Sequence, residues 1–348
     1  MKEVKRILIF NVNWLGDVLF STATIRNVRR NFPDGFIACI IPSRCYPVLK
    51  DNPYLDEIII FDEKDRHRSL ISKLQFIRQL RQKHFDLSLL LHGSFTRALI
   101  CFLAGIPKRI GYATKGRSIL LTKKIIPPDR DSLHRIDYYL GVAEKAGFRA
   151  EDRYLDFFIS QEDTDFIEGL LLKEGLNSNK DILVGINAGG NWLPKRWPLQ
   201  YWAELADKLI GEKGAKVIIT GSFTDLSLAK AIANSMKLKP VILCGKLNLK
   251  QSAALFKKLD LFISADTGPL HIANAVGTKK IIAIFGPTDL EVTGPYPLKN
   301  VTILRKDVGC KIPCYVVDCK DSRCMKAVTP LEAFEASAKI LKDNLKAK

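Results

Sequence analysis

Short apolar runs rich in Ile, Val and Leu recur along this chain, with amphipathic segments between them. In the first half, the runs Arg6–Val12, Phe36–Ile41, Glu57–Phe61 and Leu87–Leu91 predict strands. The segments Val18–Asn31, Ser69–Lys83, Phe95–Ala104 and Leu133–Ala146 predict helices, and Gly147 stands where the last should end. Continuous apolar strands alternating with helices read as βαβ units around a buried parallel sheet. The pattern then restarts. Ser160–Glu174 predicts a helix with Ser160 as its N-cap, and the polar stretch Gly175–Asp181 predicts the domain boundary. Strands follow at Ile182–Asn187, Ala215–Thr220, Val241–Cys244, Leu261–Ser264 and Lys280–Phe285. Helices are expected at Leu199–Glu212, Asp225–Met236, Leu249–Lys258 and Pro269–Val276, with a terminal one at Thr329–Leu345. The expected architecture is therefore α/β: two Rossmann-like domains, residues 1–175 and 176–328, and a closing helical segment, residues 329–348. Ligands bind beyond the carboxyl ends of the strands in such sheets, which puts the expected reaction site in a cleft between the two domains.

The 348 residues suffice for two domains with separate cores. No apolar run reaches the length of a membrane span and no leader pattern opens the chain, so a cytoplasmic protein is expected. Charge adds a second feature. Residues 1–150 carry 26 basic and 14 acidic side chains, +12 of a total of +17. Such an imbalance suits an anionic partner: nucleic acid, a membrane surface or a phosphorylated substrate. Bases without interleaved aromatics, and without a recognition motif, argue against nucleic acid. Of the eight cysteines, Cys39, Cys45, Cys101 and Cys244 are scattered. Cys310, Cys314, Cys319 and Cys324 form a C-x3-C-x4-C-x4-C cluster, looser than paired C-x2-C zinc signatures, and no metal is expected.

Three strand-to-helix turns hold candidate chemistry. Asn13-Trp-Leu-Gly-Asp17 follows the first strand; Asp17 could cap the next helix or act as a general base. Asn187 to Pro198 opens the second half with a glycine pair, Gly189 and Gly190, then Asn191, Lys195 and Arg196, a pattern suited to an anion. Ala265-Asp-Thr-Gly-Pro-Leu-His271 places Asp266, Thr267 and Gly268 at a helix start, with His271 one turn in. His271 could face a ligand or sit in the core. Gly221, Ser222 and Asp225 form a fourth such turn, and Gly286-Pro-Thr-Asp289 a fifth.

Taken in order, Trp14-Leu-Gly-Asp17, Lys195-Arg-Trp-Pro198, Asp266-Thr-Gly-Pro-Leu-His-Ile-Ala273, Phe285-Gly-Pro-Thr-Asp289 and Thr293-Gly-Pro295 resemble glycosyltransferase family 9, most closely its heptosyltransferase II branch. The resemblance runs over nearly the whole chain. It implies a GT-B fold with no cofactor, ADP-heptose as donor, and a heptosyl-Kdo2-lipid A inner core as acceptor. It also implies Asp17 as the base, donor contacts from Lys195, Asp266, Thr267 and Gly268 with His271 close by, and a terminal helix that often crosses back to the first domain. Arg196, Gly190 and Asn191 are expected to join the donor site, and the Gly221-Ser222 turn could line a nucleotide pocket or be a plain capped turn. Gly190 and Asn191 replace hydroxyl residues that some relatives carry before the lysine. The basic stretch suggests Asn13, Lys108, Arg109, Lys115 and Arg117 for the anionic acceptor, and peripheral contact with the cytoplasmic face of the inner membrane. Competing expectations are heptosyltransferase I or III, a nucleotide-sugar epimerase, a nucleic-acid-binding module, and a catalytically silent scaffold.

Overall fold

Every residue of Arg6–Phe10 beyond Arg6 is buried, as a strand requires when helices cover both faces of its sheet. In the computed structural model, which describes residues 4–129, 131–190 and 192–345, this strand is β1 of a parallel six-stranded sheet. The others are β2 (Phe36–Ile41), β3 (Glu57–Ile60), β4 (Leu87–Leu90), β5 (Lys108–Tyr112) and β6 (Lys123–Ile125), in spatial order β3-β2-β1-β4-β5-β6. The direction of winding reverses between β1 and β4, so the carboxyl end of β1 is the place where such sheets open a crevice. Helices α1 (Leu15–Phe20), α2 (Thr22–Asn31), α3 (Tyr46–Leu49), α4 (Leu70–Gln82), α5 (Phe95–Leu103) and α6 (Arg135–Ala146) complete this unit. Phe76, Ile77 and Leu80 of α4 and Ala98 and Cys101 of α5 share one apolar cluster with Leu8 and Phe10 of β1. Gly147, at φ 104°, ends α6 as expected.

The second unit repeats the plan. Its strands are β7 (Leu183–Asn187), β8 (Lys216–Thr220), β9 (Val241–Ile242), β10 (Leu261–Ala265), β11 (Ile281–Ile284) and β12 (Val301–Leu304), in order β12-β11-β10-β7-β8-β9. Its helices are α7 (Gln161–Lys173), α8 (Leu199–Lys213), α9 (Leu226–Ser235), α10 (Leu249–Lys258), α11 (Gly268–Ala275), α12 (Leu290–Thr293), α13 (Arg323–Lys326) and α14 (Pro330–Leu345). Trp197, Trp202, Leu205 and Leu209 form a core with Phe334 and Leu341 of α14, which packs on α8. The Trp197 indole donates to the Val328 carbonyl at 2.8 Å, tying the loop before α8 to the segment before α14.

The domain boundary and three strands differ from the sequence reading. The chain divides between Phe158 and Ile159, ahead of α7, and not at Gly175–Asp181. The reason is packing: α7 lies on α10, and Lys258 of α10 pairs with Glu168 of α7. Three edge or near-edge strands, β5, β6 and β12, went unpredicted. Lys108-Arg109 and Lys123-Lys124 open β5 and β6 with charge, which hides the apolar run that follows.

Candidate functional site

In the first unit, β1 runs into a loop that buried polar groups hold still. Asn11 is fully buried; its amide donates to Ser21 Oγ at 2.8 Å and its Oδ1 accepts from the Val12 amide at 2.8 Å. Arg97 of α5, 2% exposed, donates to the Asn11 carbonyl at 2.5 Å and to Asn13 Oδ1. Burial pushes Arg97 down to about 10, which leaves it protonated at neutral pH. Arg44 donates to the Asn13 carbonyl at 2.8 Å, so two guanidinium groups fix this residue.

Helix α1 starts at Leu15, three residues earlier than the hydrophobic pattern predicts, which puts Asp17 in its first turn. The Asp17 carboxylate is half-buried, and Tyr139 of α6 donates its hydroxyl to Asp17 Oδ1 at 2.8 Å. Burial first, and the Asp17 charge next, push the Tyr139 hydroxyl well above its ordinary range, so it remains a donor. A cavity of about 780 Å³ opens beside this turn, lined by Asn13, Trp14, Arg44, Asp62, Glu63, Arg68, Lys73 and Arg97 among others. Trp14 is 67% exposed, with the Arg44 guanidinium 5.4 Å from its ring centroid. An exposed indole beside fixed donors is a platform for the apolar face of a sugar.

The structure corrects most of the proposed basic acceptor set. Lys108 and Arg109 begin β5, paired with Leu87 and Ser88 at the start of β4, so they lie at the amino end of the sheet, opposite Asp17. Arg109 also spends its guanidinium on the carbonyls of Leu120 and Ile106. Arg117 is at the carboxyl end but fully buried, donating to the carbonyls of Tyr112, His92 and Leu90. Only Asn13 and Lys115 of that set stand beyond the strand ends with some exposure. Burial, then the charges of Arg97, Lys115 and Arg117, push neighbouring His92 down to about 3, a neutral ring.

In the second unit, β7 and β10 are neighbours at the equivalent reversal point. Asp266 follows β10 and is 4% exposed. Lys195 Nζ donates to its Oδ2 at 2.7 Å, Thr293 Oγ1 lies 3.4 Å from the same oxygen, and His271 Nε2 stands 3.3 Å from Oδ1. Burial by itself would raise the Asp266 carboxyl. The His271 hydrogen bond and the Lys195 and His271 charges outweigh it and hold the group well below the usual carboxylate range. Lys195 Nζ also lies 5.5 Å from the Trp192 ring centroid, and its side chain is 21% exposed. His271 is buried, yet it serves the carboxylate that seats the lysine, so the core and ligand readings meet in one residue. Arg196 Nε donates to the Gly190 carbonyl at 2.9 Å. Thr267 caps α11 with extended backbone and its hydroxyl lies 3.2 Å from Ser264 Oγ; the amides from Gly268 onward open the helix. Asn191 lies outside the described residues. A Cβ on Gly189 would stand 2.4 Å from Asp225 Oδ1, so only glycine allows the β7 turn to approach the Ser222–Asp225 capping box. Behind Gly221-Ser222 a second cavity, about 570 Å³, is lined by Phe223, Leu226, Ile242, Cys244 and Gly245.

Cys39, Cys45, Cys101, Cys244 and Cys324 are buried and Cys310 is exposed. Among the described residues no three metal-ligating side chains gather closely enough to hold an ion.

Sequence reasoning missed Tyr139, Arg44, Arg68 and Lys73. Nothing in the sequence couples Tyr139 to a carboxylate 122 positions away. The three bases lie in segments with no motif, and only the order of strands brings them beside Asn13.

Comparison with known proteins fits this geometry. Residues 73–322 match the model of glycosyltransferase family 9 (heptosyltransferase). Lipopolysaccharide heptosyltransferase 2 of Salmonella typhimurium is 27% identical over 299 residues, 83% of this chain and 85% of that protein. The crystal structure of a family 9 glycosyltransferase from Veillonella parvula superposes with a TM-score of 0.88 at 26% identity, covering 99% of both chains. The structure of E. coli ADP-heptose LPS heptosyltransferase II superposes with a TM-score of 0.79 at 23% identity, over 97% of this chain and 99% of that one.

Proposed function

This chain belongs to glycosyltransferase family 9 and has the doubly Rossmann-like GT-B construction, and from that premise we propose that it transfers L-glycero-D-manno-heptose from ADP-heptose to the inner core of lipopolysaccharide. The observation that carries the proposal is the Asp266–Lys195–His271 cluster: a buried carboxylate just before α11 holding a partly exposed ammonium. Such a pair suits a donor whose leaving group is a diphosphate. Lys195 and Arg196 meet the diphosphate oxygens, and the first amides of α11, from Gly268, add their partial positive charge. As Lys195 turns to phosphate, Asp266 becomes free to accept from heptose hydroxyls, with Thr267 and His271 beside it. Gly190 contributes a backbone contact. The turn at Gly221-Ser222 and the cavity behind it suit the nucleoside, with Phe223 and Ile242 offering apolar surface to a base.

Asp17 is the general base. It takes the proton of an acceptor hydroxyl as that oxygen bonds to the anomeric carbon. The bond from that carbon to the diphosphate breaks on the opposite face, so the product has inverted configuration and ADP departs. Tyr139 keeps the carboxylate in one orientation through the step. The acceptor is an anionic, lipid-linked core, heptosyl-Kdo2-lipid A, with its sugars in the cavity beside Trp14 and its charges met by Arg44, Arg68 and Lys73 along with Lys115.

The test is turnover of ADP-heptose against Kdo2-lipid A acceptors carrying zero, one or two heptoses. The proposal expects ADP release and heptose transfer with the one-heptose acceptor. Transfer only to the acceptor without heptose assigns the first heptosyl step instead. Consumption of donor with no acceptor-dependent product contradicts the transferase reading.

A further inference from the structure

Helices α4 and α5 lie together on one face of the first sheet and run in the same direction; near their ends Arg81 of α4 donates to the Leu103 carbonyl of α5 at 2.6 Å. Their inner sides are core. Their outer sides should be polar in a water-facing layer; the carboxyl half of α4 is, with Gln75, Arg78, Gln79 and Gln82 exposed, but its amino end and the outer side of α5 are not. On α4, Leu70 is 78%, Ile71 70% and Leu74 55% exposed. On α5, Phe95 and Phe102, two turns apart, are also exposed. Ile119, in the short helical turn packed on α5, is 77% exposed. An exposed apolar array of this size on neighbouring elements marks a contact surface.

The charge around it identifies the contact. From Ser69 to Pro128 the chain has eleven Lys and Arg and one acid, Asp86. That acid is turned to the chain's amino-terminal segment, accepting from the Lys5 and Arg6 amides at 2.8 Å. Neither α4 nor α5 contains a carboxylate, whereas Arg78 and Arg81 are exposed on α4, and Lys64 and Arg66 are exposed in the loop before it. Bases flank the protruding Leu, Ile and Phe side chains, while the carboxylates of the preceding loop, Asp62, Glu63 and Asp65, line the cavity beside Asn13. Such a surface matches a layer that is apolar beneath and anionic at its surface. Among the described residues no helix is long and apolar enough to cross a membrane.

We propose that the α4–α5 face is a membrane-docking surface, on which Leu70, Ile71 and Leu74 enter the headgroup boundary while the surrounding bases bind anionic lipid phosphates. Insertion of apolar side chains and attraction to anionic headgroups reinforce one another at such surfaces. The amino end of α4 also supplies Lys73 to the cavity beside Asn13, and Arg68 of that cavity immediately precedes the helix. Docking there would bring the cavity to the depth at which a lipid-linked acceptor presents its sugars. The proposal goes beyond the transferase reading, because the surface can be tested without donor or acceptor.

The experiment is flotation of the full chain with vesicles of phosphatidylcholine alone or mixed with phosphatidylglycerol. Three proteins are compared: wild type, the triple variant L70Q/I71Q/L74Q, and the charge variant R66Q/R78Q. Wild type should bind the mixed vesicles far better than the neutral ones, and binding should weaken with added salt. The triple variant should bind roughly tenfold more weakly or worse, since it removes the inserting side chains. The charge variant should lose most of its preference for phosphatidylglycerol. Both should keep wild-type melting temperature and ADP affinity, which shows that the fold and donor site are intact. Unchanged binding by the triple variant overturns the proposal. So does a wild-type dimer that the triple variant dissociates while vesicle binding persists, because the face would then be covered by a second copy.

Discussion

Replacing Lys195 by Met keeps the length of the side chain and removes its charge, leaving the Asp266 carboxylate with His271 and Thr293. Breaking a buried ion pair from one side costs ~3–5 kcal/mol. Here Asp266 is 4% exposed but the Lys195 side chain is 21% exposed, so water reaches the vacated place. A loss of about 1–3 kcal/mol is expected, near the strength of a charge-assisted hydrogen bond. For a unit of this size that lowers the melting temperature by roughly 4–8 °C at the middle of the range. The deficit depends on pH in a definite direction. The folded state holds Asp266 below the ordinary carboxylate range, so its stabilisation is complete above the unfolded value, ~3.9, and is lost as pH falls through the folded one. The K195M deficit is therefore full at neutral pH and shrinks below about pH 4. Donor binding is the second readout. ADP affinity should fall at least about tenfold, ~1.4 kcal/mol. In the double variant K195M/D266N part of the stability should return, because no buried charge is left unpaired, while ADP affinity should stay low. Denaturation melts at several pH values and ADP titration calorimetry decide the matter. K195M with wild-type stability and wild-type ADP affinity would refute this account of the cluster.

Three further outcomes are expected. Tyr139→Phe removes one hydrogen bond to a half-buried carboxylate, so kcat should drop about tenfold with ADP affinity unchanged, measured by steady-state kinetics and calorimetry. Gly189→Ala sets a Cβ 2.4 Å from Asp225 Oδ1 and should destabilise by ~1–3 kcal/mol while raising the donor KM, read by melting and kinetics. Arg117→Met leaves the carbonyls of Tyr112, His92 and Leu90 without a donor and should cost about 2–4 kcal/mol, whereas Lys108→Ala should leave both stability and acceptor KM within error.

The repeated strand–helix grammar made both sheets legible, because β1, β2, β4, β7, β8, β10 and β11 are buried on both faces and read as unbroken apolar runs. Edge strands carry less of that signal; β12 is only half-buried and β6 opens with two exposed lysines. Asp17, Lys195, Asp266 and His271 stood out because each follows a strand within a turn motif. Their relationships did not: the Asp266–Lys195 pair spans 71 positions and exists only because β7 and β10 are neighbours. Charge was legible as a quantity but not as a location. Lys108 and Lys115 are seven residues apart, yet β5 carries the chain between them from one end of the sheet to the other. Arg97 and Arg117 look like surface bases in the sequence, and both are buried braces for backbone carbonyls.

The most direct test of the central claim is single-turnover heptose transfer by Asp17→Asn alongside its ADP affinity. A general base of this kind contributes ~10²–10⁴-fold. Transfer should therefore fall by at least about a hundredfold, with ADP binding and melting temperature at wild-type values. Transfer at the wild-type rate, in protein that binds ADP normally, would contradict the assignment of Asp17 as the group that removes the acceptor's proton.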